Sequence, residues 1–128
     1  MIPDKSQSAD FAGGSADPAA DGLVLVLTTW PAGALVETVA EALVRDGLAA
    51  CVSILPPQRS VYRWEGAIEY ADEQQLLLKT TRGRLAALEA AVHTAHPYDV
   101  PEFLVLSVEA SSRAYERWVR LTPRSHHT

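Results

Sequence analysis

Cys51 is the only cysteine of the chain, and Lys79 is the only lysine beyond Lys5. Each adjoins an uninterrupted apolar run, "LAACVSIL" and "QQLLLKTT". A free thiol in such a run is first a packing residue, because unpaired cysteine is among the most buried side chains. Its second reading is as a ligand for a soft metal such as copper(I). Use as a nucleophile requires a base or a positive charge beside the sulfur, and the flanking residues supply neither. Lys79 has two readings as well. It snorkels its ammonium from the end of a buried strand to water, or it pairs with a carboxylate, Glu65 or Glu102, in a cleft between subunits.

A third concentration of chemistry lies in "HTAHPYDVPEFLVL", residues 93–106. Glu89, His93 and His96 recur at i, i+4 and i+7, which places them on one face of a helix. Imidazole and carboxylate on one face suit zinc or copper(II). The competing reading is a solvated face, since Leu85, Leu88 and Val92 already mark the buried one. Pro97 ends the helix, because the residue before a proline avoids helical geometry. Pro101 then stiffens the approach to the next strand and holds Tyr98, Asp99 and Glu102 on a short loop suited to binding. His126 and His127 at the far end bind copper or nickel weakly in almost any context, so metal uptake by the whole chain is a poor guide to a specific site.

Regular elements must position these groups. "LVLVLTT" from Leu23 reads as a strand buried on both faces. Leu35, Val36, Val39, Leu43 and Val44 follow at helical spacing, with Gly47 ending the helix. "LAACVSIL" is a second strand, stopped by Pro56 and Pro57. "SVYRWEGAIEY" reads as a hairpin turning at Glu65–Gly66, which sets Trp64 opposite Ala67, Arg63 opposite Ile68 and Tyr62 opposite Glu69. "QQLLLKTT" is a third strand, Leu85 to Val92 a second helix, "FLVLSVE" a fourth strand, and "SSRAYERWVRL" a final helix with Ser112 as N-cap. This order is the split βαβ, ferredoxin-like α/β plan, an antiparallel sheet with helices on one face. Both faces of the hairpin are half apolar, and two aromatics flank its tip. A second chain is the expected cover.

The 128 residues fit one domain. Residues 1–22 are rich in Ala, Gly, Ser, Asp and Pro and read as a disordered tail; 23–122 form the domain, and 123–128 a loose end. A net charge of −5 gives no reason to expect nucleic acid. No apolar stretch is long enough for a membrane helix, and no apolar segment of a signal peptide stands at the start. One cysteine fits a reducing compartment. A cytoplasmic protein without a recognisable catalytic constellation is expected.

Three segments, "LAACVSILPPQRSVYRWEGAIE", "LLLKTTRGRL" and "HPYDVPEFLVLSV", in this order and spacing, closely resemble the CutA divalent-cation tolerance family. The resemblance covers about Leu23 to Leu121. It implies a ferredoxin-like subunit in a tight homotrimer, a role in tolerance of divalent metals, copper binding in some members, and no agreed reaction. It also places the loop at 97–102 near the subunit boundary, close to the "YRWEG" arm and to Cys51. On that footing Cys51, His96 and Glu102 are candidate metal ligands, and Tyr62, Trp64, Glu65, Lys79, Tyr98 and Pro101 candidates for an inter-subunit cleft. Glu89 and His93 form a weaker alternative metal face, with His93 outside the family motif. Two departures matter. Ser53 stands where the family often has asparagine, and "TTWP" lacks the second cysteine common there, so no paired-cysteine mechanism operates within one subunit. The competing class is a regulatory module like the PII signalling proteins, binding a small anion or a protein partner in the clefts without a metal role; an enzyme is third.

Overall fold

A computed structural model describes residues 22–33 and 35–122. The tails expected at 1–22 and 123–128 lie outside it, Gly22 apart, as do His126 and His127. The elements are β1 (Leu23–Pro31), α1 (Leu35–Arg45), β2 (Cys51–Ile54), β3 (Gln58–Trp64), β4 (Ala67–Thr81), α2 (Leu85–Ala95), β5 (Leu104–Ser107) and α3 (Arg113–Leu121). The strands form an antiparallel sheet in the order β2-β4-β1-β5, with β3 also paired to β4. That order is the ferredoxin-like arrangement, extended by β3.

The hairpin register is the expected one, with Trp64 opposite Ala67, Arg63 opposite Ile68 and Tyr62 opposite Glu69. Its turn uses two left-handed residues, Glu65 at φ 51° and Gly66 at φ 85°, the geometry that matches the twist of the flanking strands. The sequence reading separated the hairpin's return strand from "QQLLLKTT". They are one 15-residue strand, because no proline or glycine interrupts Ala67 to Thr81. Since β1 pairs with β4 only from Glu73 to Thr81, the segment 67–72 and β3 project beyond the sheet as a two-stranded arm.

Strand alternation divides the sheet into two faces. Val24, Val26 and Trp30 of β1 and Leu76 and Leu78 of β4 pack with Val36 and Leu43 of α1 and Leu88 and Val92 of α2 in one core. Leu35 and Val44, expected on the buried stripe of α1, are exposed. From Leu23 to Thr28 β1 is deeply buried on one face only; Leu23, Leu25 and Leu27 remain half-buried, and burial reaches the second face at Thr29. Strand Leu104–Ser107 is exposed along its whole length. α3 packs against β4 and β1. It lies toward the second face: burial and then the charge of Cys51 push up the Tyr115 hydroxyl, and Arg84 links the Thr81 hydroxyl to the Arg120 carbonyl. Ser112 caps α3 through its hydroxyl, which accepts from the Tyr115 amide.

Candidate functional site

The connection from α2 to β5 is anchored by His96. This residue caps α2 in extended geometry and is buried. Its Nδ1 accepts from the Tyr98 amide at 3.1 Å, which puts the ring proton on Nε2, 2.6 Å from the Thr29 carbonyl. Trp30 and Tyr98 pack against the ring, with centroids 4.1 and 4.8 Å away. From that anchor Tyr98 reaches back to β4, where its hydroxyl donates to Glu73 at 2.9 Å. Glu102 accepts from Gln75 at 2.8 Å. Both ends of the loop are thus tied to one strand.

A cleft of about 580 Å³ lies between this loop and the arm, lined in part by Tyr62, Trp64, Glu69, Glu73, Tyr98 and Glu102. Its carboxylates shape the phenols. Burial, then the hydrogen bond and charge of Glu73, push the Tyr98 hydroxyl up to about 12. The Tyr62 hydroxyl is raised by desolvation and then by Glu69, to which it donates at 3.4 Å.

A second constellation lies farther along β4. Cys51 and Lys79 are directly opposed in the β2–β4 ladder. The Lys79 ammonium is 3.8 Å from the Cys51 sulfur and 3.0 Å from the Ser53 hydroxyl. The positive neighbour absent from the flanking sequence comes from across the sheet. Both residues are half-buried, so Cys51 is not the fully enclosed core thiol expected first.

Of the sequence-derived cleft residues, Tyr62, Trp64, Tyr98 and Pro101 line the cavity together with Glu102. Lys79 and Glu65 do not. Lys79 contacts Cys51 and Ser53 rather than a carboxylate, and Glu65 at the hairpin tip is on the order of 40 Å from it at the rise of an extended strand. Cys51 also stands apart from the loop: its partner Lys79 lies four positions beyond Gln75 on β4, roughly 13 Å along the strand. Cys51, His96 and Glu102 therefore do not converge within one chain, and among the described residues no three histidine, cysteine or acidic side chains group as a metal site. Both ring nitrogens of His96 are already engaged. Nor does His96 share a face with Glu89 and His93, since its backbone has left the helix; His93 is exposed, its Nδ1 3.0 Å from the Glu89 carbonyl oxygen. Sequence reasoning missed Glu69 and Glu73 as cleft residues, although the hairpin register had already placed Glu69 opposite Tyr62.

The model of the CutA1 divalent ion tolerance protein family matches residues 24–122. The chain belongs to the CutA1 family. The divalent-cation tolerance protein CutA of Thermus thermophilus is 42% identical over 96 residues, spanning 75% of this chain and 93% of that protein. The chloroplastic CutA of Arabidopsis thaliana is 35% identical over 102 residues, 80% of this chain and 56% of that longer protein. Among solved structures, CutA from Synechococcus elongatus is 46% identical and superposes with a TM-score of 0.76, covering 83% of this chain and 93% of its own. The three segments singled out in the sequence fall inside the CutA1 match. No helix among the described residues is long and apolar enough to cross a membrane.

Proposed function

We propose that this CutA1 chain acts in divalent-metal tolerance as a homotrimer that binds copper(I) at Cys51. The observation that carries the assembly is the unpartnered apolar surface. Val61, Ile68 and Tyr70 project from one side of the arm with exposures of 58, 55 and 63%, and Leu104, Val105 and Leu106 line the free β5 edge at 53, 40 and 47%. A two-stranded ribbon is marginal alone, and an uncovered edge strand invites pairing. Neighbouring copies cover both. In that assembly the Glu65 tip of one arm reaches the Lys79 region of another copy.

The thiol supplies the soft ligand and marks the reading for copper. The remaining ligands come from a neighbouring copy, since none converge on Cys51 within the described chain; Glu102 is the carboxylate proposed for this. The role is binding rather than catalysis, and the single cysteine supports a reducing, cytoplasmic setting. A small-anion regulatory role fits the cleft less well, because no lysine, arginine or histidine lines it. The test is growth under copper stress. Cells lacking the chain should lose tolerance, the parent chain should restore it, and Cys51→Ser should not. Full rescue by Cys51→Ser would remove copper ligation by the thiol from the account.

A further inference from the structure

Five of the ten lysines and arginines that follow Gly22 gather at one end of the sheet. Arg82 and Arg84 lie on the 3-10 turn Arg82–Arg84 that continues β4, and Arg113, Arg117 and Arg120 lie on α3. Contacts join the two sets. Arg84 donates to the Thr81 hydroxyl and to the Arg120 carbonyl, each at 2.9 Å, and Arg82 donates to the Ser107 hydroxyl at the end of β5. Glu116 is an acid of this end and holds Arg120 at 2.6 Å. Glu69 and Glu73 lie toward the other end of β4, roughly 30 Å or more from Arg82 at the rise of an extended strand.

The chain enters the fold at this same end. The Gly22 carbonyl accepts from the Arg82 amide at 2.9 Å, and β1 begins with Leu23 opposite Thr81. Residues 1–21 carry Asp4, Asp10, Asp17 and Asp21 against Lys5. Asp21 adjoins Gly22, and Asp17 stands at most about 17 Å from it at the span of an extended chain. Arg84 is two residues beyond Arg82, about 4 Å along a 3-10 turn, and its guanidinium touches the last turn of α3. Both aspartates are therefore tethered within reach of the arginines. A single exposed ion pair is weak. A tether makes each further encounter intramolecular, at an effective concentration in the millimolar range for short linkers.

We propose that residues 1–21 dock on the surface of Arg82, Arg84, Arg117 and Arg120, with Asp17 and Asp21 against the guanidinium groups. The docked segment covers the end of the sheet opposite the arm and occupies these arginines ahead of any external polyanion. The contact is separate from Cys51 and does not depend on copper.

Amide NMR spectra of the full-length chain and of a full-length variant carrying Asp4→Asn, Asp10→Asn, Asp17→Asn and Asp21→Asn test it. At about 0.01 M salt, where charges act over ~30 Å, the spectra should differ at 82–84 and 113–121 and agree along the arm, 58–72. At about 1 M salt, where that length falls to ~3 Å, the differences at 82–84 and 113–121 should vanish. Agreement at those positions in low salt would overturn the proposal. So would differences of equal size along the arm, which would mark a general effect of net charge. Heparin, a sulfated polyanion, should shift the same amides more in the four-asparagine variant than in the parent; equal shifts would show the arginines open in both and contradict docking. Arg117→Gln should weaken the response of α3 to the aspartate substitutions and sediment as the parent does. A changed assembly in Arg117→Gln would assign the arginines to an interface between copies and remove the docked segment from the account.

Discussion

Lys79 and Cys51 face each other across β4 and β2, with the ammonium 3.8 Å from the sulfur. The strand register produces this pair, and its ammonium repels a cation arriving at the same sulfur. Removing the ammonium should therefore strengthen copper(I) binding. Lys79→Leu is expected to raise copper(I) affinity about fivefold, from the ~1 kcal/mol that water-screened unit charges 4 Å apart exchange. Competition against a chromophoric copper(I) chelator reads this directly. Weaker binding in Lys79→Leu would mean that the lysine assists metal binding instead of competing with it.

His96 is assigned to structure. Replacing it with alanine removes the hydrogen bonds to Thr29 and Tyr98 and the packing against Trp30. His96→Ala should cost about 2 kcal/mol or more in urea unfolding. Copper stoichiometry under native conditions should be unchanged, because neither ring nitrogen is free to ligate. A variant of parental stability that loses copper would reverse that assignment.

Tyr98 gives the fold an alkaline limit. Its phenol is pushed from an ordinary value near 10 up to about 12 by burial and then by Glu73. Because the folded-state value is the higher one, its contribution to stability is complete below about pH 10 and is lost as pH rises through about 12. Chemical unfolding across that window should show a decline that Tyr98→Phe flattens. In an ultraviolet titration of the four tyrosines, the same substitution should remove an ionisation near 12. An unchanged alkaline decline in Tyr98→Phe would place its origin elsewhere.

Tyr70 tests the assembly. Its ring is 63% exposed on the side of the arm away from the cleft, with Arg59 over it at 5.8 Å. Aromatic anchors at interfaces commonly cost about 2 kcal/mol or more when truncated. Tyr70→Ala should dissociate the trimer at a higher protein concentration than the parent, as followed by sedimentation velocity. Identical dissociation would remove this side of the arm from the interface.

Local signals made most of the fold legible. Pro97, Gly47 and Ser112 mark element ends through backbone chemistry that operates within a few residues. The Glu65–Gly66 turn fixed the hairpin register, and with it the Tyr62–Glu69 pair. The sites were less legible because they depend on distant pairing. The Cys51–Lys79 contact spans 28 residues and follows from the β2–β4 register, which no turn sets. Glu73 reads as one more surface acid until β1 ends opposite it and Tyr98 closes over it. His96 misled because its i+7 spacing assumed a helix that Pro97 had already ended. The uninterrupted apolar run of β1 suggested burial on both faces, and the single chain leaves Leu23, Leu25 and Leu27 only half-buried.

The central claim is a trimer that takes copper through Cys51. Native mass spectrometry of residues 23–122, titrated with copper under reducing conditions beside the full-length chain, tests it most directly. The account predicts a trimer that takes up three copper ions and a Cys51→Ser trimer that takes up none. A monomer, or a Cys51→Ser trimer that binds copper as the parent does, would contradict it.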